Sequence, residues 1–512
     1  MYEKFKHNNI FKFFLISTAV FEIPLTSQYY GWASLVYVFK SEGYFTDIEA
    51  CQNFQNLSLS SSNSSNFEPE NANTKCEDAR NAIFSSLYQT ADNTQFATML
   101  IAGILIDKYG TRISRNCFTL FIILGSLLGW LCLTPNYVSF LKNQWISYLV
   151  MGFLGLGAVP LFITNQQLGY TSLKFYETII SFNNGMFSVG EGVTIIPKLL
   201  HQKNPDKFGM NQWFLVVLVS CLLVLVRTYF FMPRQFVNKE EFGFGDEEQE
   251  EDSQENGKGE EIRQIPMKTI YKWIFMKEFL IFIPVLTSMI LTLAFIHQNL
   301  NAWLQEVAPD KVSEYTNLFA YLQPVAIIAS FAAGGLLNAI QNFYSARKNN
   351  NQKNVSKIRI QRYGLSKFIL VIYLGFSITL ILMSMIEKSI FNITSSSVNI
   401  TILFIIYIFT KTGYFCLLDI LILTEFPVNA YGRVIGSFPL IWAVLAFLNI
   451  PLLKLAQTTR NSGFFMSGFT AVLVIYQILN SVFCYLAVKN YDQNRRKYPG
   501  LIFQTGDEEI DA

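Results

Sequence analysis

The sequence predicts an all-α membrane protein of twelve transmembrane helices arranged as two six-helix halves. Three observations carry this expectation. Among 512 residues, 51% are hydrophobic and only 15% charged, with a mean hydropathy of +0.30; a soluble chain normally carries about a quarter charged residues. Long apolar stretches recur throughout, each about 18–25 residues, the length that roughly 30 Å of hydrocarbon demands at 1.5 Å rise per residue. Most show no polar face, which a large soluble core would require of its helices. Phe, present 47 times, is among the residues lipid accepts at least cost.

The spans fall at about 11–39, 83–106, 117–134, 145–168, 177–199, 212–232, 278–300, 317–340, 366–387, 398–423, 433–456 and 464–488. The first follows Lys4, Lys6 and Lys12 but contains Glu22 and Pro24 and ends without a small-residue cleavage site. It reads as a span and not as a signal peptide. The fifth carries Glu191, and the tenth carries Lys411 and Asp419. Residues 1–232 form the N-terminal half, with an external loop at about 40–82. Residues 233–277 form an acidic cytoplasmic linker, whose core from Glu247 to Glu261 is too poor in apolar residues to fold alone. Residues 278–490 form the second half and 491–512 a cytoplasmic tail.

Basic residues set the orientation. With both termini cytoplasmic, roughly 26 of the 39 Lys and Arg lie inside and about 11 outside. The loop after the eighth span, with Arg347, Lys348, Lys353, Lys357, Arg359 and Arg362, is the clearest case. The acceptor pattern for N-glycosylation occurs at Asn56, Asn63, Asn392 and Asn399, all external in this topology. Such acceptors suit the plasma membrane or an endomembrane reached by secretion. Cys51 and Cys76 share the first external loop, on the oxidising side. A disulfide between them would close a loop of about 25 residues and contribute about 3 kcal/mol in the chain-entropy model. Five further cysteines sit in apolar spans as packing residues. No Cys/His spacing for a metal occurs and no cofactor is expected. The net charge of +2 gives no reason to expect a nucleic-acid partner.

The sharpest local signal is Gly103-Ile-Leu-Ile-Asp107-Lys108-Tyr-Gly110-Thr-Arg112, at the cytoplasmic end of the second span. Gly103 permits close helix approach. Asp107 is placed to accept hydrogen bonds from a helix N-terminus, where the dipole favours negative charge. Gly110 permits a tight turn, and Lys108 and Arg112 hold the loop inside. The stretch resembles the G-x-x-x-D-[RK]-x-G-x-[RK] signature of the major facilitator superfamily, which implies a latch that holds one conformation and breaks during transport. The corresponding stretch of the second half, Gly334-Gly335-Leu-Leu-Asn338, carries Asn where many members have Asp, implying a weaker latch.

Further segments resemble solute carrier family 43. They are Gly31-Trp32 through Phe45 followed by Cys51, Phe162 through Gly169, Asn184-Gly185, Arg227-Thr228 with Met232-Pro233-Arg234, Val312 through Gln323, and Phe426-Pro427 with Gly432. That family contains facilitators of large neutral amino acids and an equilibrative purine-nucleobase transporter, and the fourth- and eighth-span segments lie closer to the latter. The resemblance implies a small-molecule substrate, no sodium coupling and a monomer in the lipid bilayer.

Ionisable residues within a span cost on the order of 3 kcal/mol on insertion scales and so should face a cavity or a partner. Glu22, Glu191, Lys411 and Asp419 are the candidates. Lys411 stands where the family carries Arg; Glu191 and Asp419 have no recognised acidic counterpart. Asp419 lies eight residues beyond Lys411, about 12 Å along the helix and some 80° around it, so both can border one cavity. An ion pair of Lys411 with Glu191, Asp419 or Glu22 that merely satisfies buried charge, and a part in binding, are both open readings. Neutral candidates are Asn165, Gln166, Asn184, Asn301, Asn317 and Gln323, the last before Pro324, whose missing N–H frees a carbonyl. His297 reads as a packed residue near the outer mouth. No nucleophile–base pair suggests an enzyme.

The leading expectation is facilitated diffusion of a purine nucleobase by alternating access. Open beside it are a large neutral amino acid as substrate, a proton-coupled or cationic-solute carrier, and a receptor-like protein that does not transport.

Overall fold

The computed structural model describes residues 2–49, 51–52, 69–132, 144–171, 176–235, 237, 282–349, 357–387, 397–425 and 431–446. The predicted twelfth span, the C-terminal tail, nearly all of the linker, and Asn56, Asn63 and Asn392 lie outside the described residues. Among the described residues the regular structure is entirely helical.

A single helical turn at Tyr2–Phe5 precedes α1 (Asn9–Thr26), a 3₁₀ turn (Gln28–Gly31) and α2 (Trp32–Ser41). Then come α3 (Pro69–Cys132), α4 (Gln144–Gln166), α5 (Tyr176–Val193), α6 (Ile195–Lys203) and α7 (Met210–Phe230). The second half contains α8 (Phe282–Val307), α9 (Val312–Leu322), α10 (Val325–Asn349), α11 (Lys357–Glu387), α12 (Ser397–Glu425) and α13 (Tyr431–Ala446). Seven helices among the described residues are long and apolar enough to cross a membrane. Exposure is distributed as lipid requires. Phe21, Leu223 and Leu374 are 76%, 67% and 62% exposed, whereas Glu22, Arg115, Asp92, Glu191 and Lys411 are buried. A water-soluble protein keeps large apolar patches covered and its charges outside. The chain is an integral, multi-pass membrane protein.

Three predicted spans are interrupted, each for a local reason. In the first, Pro24 sits in the last turn of α1, and the Thr26 and Ser27 hydroxyls donate to the Ile23 carbonyl at 2.8 and 3.2 Å. Such side-chain bonds compete with the helical ladder and release the chain into the 3₁₀ turn. The fifth breaks at Thr194, whose hydroxyl bonds the Glu191 carbonyl (2.7 Å) and the Gly31 carbonyl (3.0 Å). In the eighth, Pro324 has no N–H to offer the Ala320 carbonyl, which takes Gln323 N–H instead at 3.2 Å. The second and third spans are two helical arms of α3 that meet at Gly110, whose φ of 80° is non-helical and turns the chain between them. That left-handed conformation is what glycine tolerates at least cost.

The first arm of α3 packs on α13, both arms on α4 and the second on α7, while α5 packs on α1 and α10. The contacts α3–α13 and α5–α10 therefore join the two halves.

Candidate functional site

Polar side chains buried in the bundle fall into three connected groups. The first is internal to the N-terminal half. Glu22 on α1 accepts from Arg115 Nη2 at 2.6 and 2.5 Å, Arg227 Nη1 at 2.6 Å and Asn165 Nδ2 at 2.8 Å. Arg115 also donates to Thr164 (2.6 Å) and Thr228 (3.0 Å), and Arg227 to Thr18 (2.8 Å) and Asn165 Oδ1 (2.8 Å). Four helices, α1, α3, α4 and α7, are thereby tied around one carboxylate. Glu22 is thus occupied by partners of its own half and does not border the central cavity described next.

The second group belongs to that cavity, about 730 Å³ of space not filled by atoms, part of it open to solvent, walled by residues of both halves. Asp92, Gln95 and Asn184 come from one half and Asp419 from the other, among Phe96, Phe162, Phe187 and Phe415. Asp419 Oδ2 accepts from Asn184 Nδ2 at 2.7 Å and Gln166 Nε2 at 2.9 Å. Gln95 Nε2 donates to the Tyr30 hydroxyl at 2.7 Å, and its Oε1 accepts from the Tyr29 hydroxyl.

The third group gathers where the three interrupted spans meet. Lys411 Nζ lies 2.5 Å from Glu191 Oε2 and donates to Gln323 Oε1 at 3.2 Å. His297 Nε2 is 3.1 Å from the same Glu191 oxygen, and the Tyr407 hydroxyl is 2.6 Å from His297 Nδ1. His297 is thus a member of a charged cluster and not a simple packing residue. Tyr30 and Phe319 pack on its ring. The predicted ion pair of Lys411 takes Glu191 as partner; Asp419 is held elsewhere, by amides.

Contacts join the halves at both ends of the cavity. At the end carrying Gly110, Arg433 Nε donates to Asp107 Oδ2 at 2.7 Å and its backbone N–H at 3.3 Å, in the first turn of α13. A β-carbon on Gly103 would collide with the Gly432 carbonyl, so glycine is required for this approach. Gly110 turns the chain, and Arg112 Nη2 donates to the Met232 carbonyl at 2.8 Å. Lys108 is exposed, 5.3 Å above the Tyr109 ring. Asn338 is also exposed. At the opposite end, Asn301 Nδ2 donates to the Ala33 carbonyl (3.1 Å), Asn81 to Gln305 (3.2 Å) and Lys198 to the Ser313 carbonyl (2.9 Å). Asn317 Oδ1, in α9, is buried with no hydrogen-bond partner and lies away from the cavity.

The loop at that end is clasped twice. Cys51 and Cys76 form a disulfide with Cα atoms 4.6 Å apart. Glu77 lies 2.8 Å from both Lys40 Nζ and Arg80 Nη1. Burial by itself would raise the Glu77 carboxyl, but Lys40 and Arg80 hold it below the usual carboxylate range, while burial lowers Lys40. Asn399 lies in the first turn of α12, half-buried.

Sequence reasoning passed over Asp92, Arg115 and Arg433 and used Arg227 only as part of a resemblance. Asp92 lies within the predicted second span and met the same rule that flagged Glu191. Arg115 stands two residues before the predicted third span, where a boundary drawn by hydropathy stops short of the helix.

The fold and site together define a helical multi-pass membrane protein with a largely apolar cavity between its halves, into which a few polar side chains are set. No family model matches the chain. It is 28% identical over 205 residues to equilibrative nucleobase transporter 1 of Bos taurus, covering 40% of this chain and 37% of that protein. The match thus spans well under half the length of the relative. A transporter as relative accords with a chain that is not an enzyme. Among solved structures, a bacterial homolog of the human lysosomal transporter Spinster, inward-facing and unoccupied, aligns over 98% of this chain and 100% of its own. Its TM-score is 0.49 and its sequence identity 12%.

Proposed function

We propose that the chain is a carrier of the major facilitator type that moves a purine nucleobase across the membrane by alternating access, without sodium. The observation that carries this reading is the cavity walled by both halves, with separate contacts joining the halves at either end. Alternating access needs that arrangement: one set breaks while the other holds. Asp107 with Arg433 is the inner latch and Asn301, Asn81 and Lys198 supply the outer contacts, with the disulfide-clasped loop outside the cell or in a lumen. The signature around Asp107 and the local similarity to a nucleobase transporter support both class and substrate. An amino acid is the weaker candidate, because no Lys, Arg or His among the described cavity residues would meet its carboxylate. Asp92 and Asp419 in the wall favour a second reading, a carrier coupled to protons or selective for cationic solutes.

The test is uptake of labelled adenine and leucine into liposomes holding the purified chain, at pH 6 and pH 8 with and without sodium. Saturable adenine uptake that ignores sodium is expected. Uptake driven only by an inward proton gradient favours the second reading, and no uptake of any solute rejects the carrier.

A further inference from the structure

Asp92 is 3% exposed, lines the central cavity, and has a buried Oδ1 with no hydrogen-bond partner. Asp419, on the other half, receives both its bonds on Oδ2, from Asn184 and Gln166. The wall between them is aromatic and aliphatic. A carboxylate oxygen left without a donor in such surroundings is unfavourable, and a donor on a bound solute relieves it. Asn184 and Gln166 are already engaged, so the acceptors outnumber the free donors in the cavity.

We propose that Asp92 and Asp419 form a divided acceptor site, one carboxylate from each half, which takes a flat solute with N–H groups on its rim and rejects solutes carrying a carboxylate. This rests on the reading of the cavity as a carrier's substrate site. Because the two acceptors belong to opposite halves, a solute with N–H groups on two edges bridges them and draws the halves together. The rings of Phe96, Phe162, Phe187 and Phe415 suit a planar partner or a delocalised cation. A carboxylate on the solute would meet only acceptors and a low-dielectric wall. Neutral bases and protonated amidines share the required donors.

The test is equilibrium binding to the purified full chain in detergent, with adenine as the neutral probe and benzamidine as the cationic one. Both are expected to bind, with 1,3,7-trimethylxanthine, which has no N–H, and leucine at least about tenfold weaker. Asp92→Leu and Asp419→Leu should each weaken adenine by about ten- to hundredfold. Asp206→Leu, on an exposed turn, should leave it unchanged. Asp92→Asn keeps an acceptor of the same shape without the charge, so it should retain adenine and lose benzamidine; it carries the test if the leucine variants do not fold. Trimethylxanthine or leucine binding as tightly as adenine overturns the proposal. So do unchanged adenine affinity in both leucine variants, unchanged benzamidine affinity in Asp92→Asn, or no binding of either donor-bearing probe. Leucine uptake by liposomes without adenine binding upholds the carrier and rejects this site; adenine binding without any uptake does the reverse.

Discussion

Glu22→Gln tests the idea that the N-terminal half is organised around one buried charge. Glu22 is 3% exposed and accepts from two guanidinium groups at 2.5–2.6 Å as well as from Asn165. Glutamine keeps the volume, but it offers one acceptor in place of two and directs its amide hydrogens at cations. Arg115, fully buried, and Arg227 then share no counter-charge. Removing one partner from a buried ion pair costs about 3–5 kcal/mol, most of it the penalty of the stranded charge. For a cooperative unit the size of this half, each kcal/mol moves the midpoint by about 2–4 °C, so the expected drop is about 6–20 °C. Thermal unfolding in detergent, followed by a thiol-reactive dye reaching the buried Cys221, reads it directly. Glu22→Gln combined with Arg115→Gln should regain part of the loss, since one cation is then removed with the anion. A single variant melting within about 2 °C of the wild type, or a double variant worse than the two singles combined, would refute the reasoning.

Three other perturbations bear on the ends of the molecule. Asp107→Asn removes a charge-assisted bond worth about 1.5–3 kcal/mol, so hydrogen exchange in 431–437 should accelerate by about ten- to hundredfold; unchanged exchange means that the contact does not hold the halves. Gly103→Val should produce the same signature with lower stability, because its side chain meets the Gly432 carbonyl; wild-type exchange and melting would show that the approach tolerates bulk. Glu77 has a depressed carboxyl, so its contribution is present above its ordinary range and is lost as pH falls through the lower folded value. The pair is partly exposed and worth less than about 1 kcal/mol. Wild type and Glu77→Gln should therefore differ slightly at pH 7 and pH 5 and converge under stronger acid, as read by proteolysis of the external loop.

Much of the architecture was legible because lipid imposes a length and a polarity that hydropathy reads directly. The Gly103–Arg112 stretch was legible for a similar reason: a glycine, an acid and a turn glycine at fixed spacing specify a helix crossing. Cys51 and Cys76 were paired by compartment and proximity alone, and the structure bonds them. The helix interruptions at Ser27 and Thr194 were not legible, since hydroxyl competition with a backbone carbonyl depends on a side-chain rotamer that hydropathy ignores. The polar network was half-read. The sequence offers Glu191 as one of three partners for Lys411, but the choice among them and the grouping with His297, Gln323 and Tyr407 depend on how four helices pack. For Glu22 the sequence leaves cavity and partner both open, because its cationic partners lie 93 and 205 residues away, near span ends where basic residues are commonplace.

The interruptions at residues 27–31, 194 and 323–324 belong to different helices yet converge on a single depth, around Glu191 and Lys411. A rod weakened at one level in three of its staves bends there and stays stiff elsewhere. The segments beyond that level, α2, α6 and α9, are short and carry the contacts made by Ala33, Lys198 and Ser313. In the carrier proposed above, these segments are the ones that would tilt to open one mouth, whereas the other would open only by parting α3 from α13.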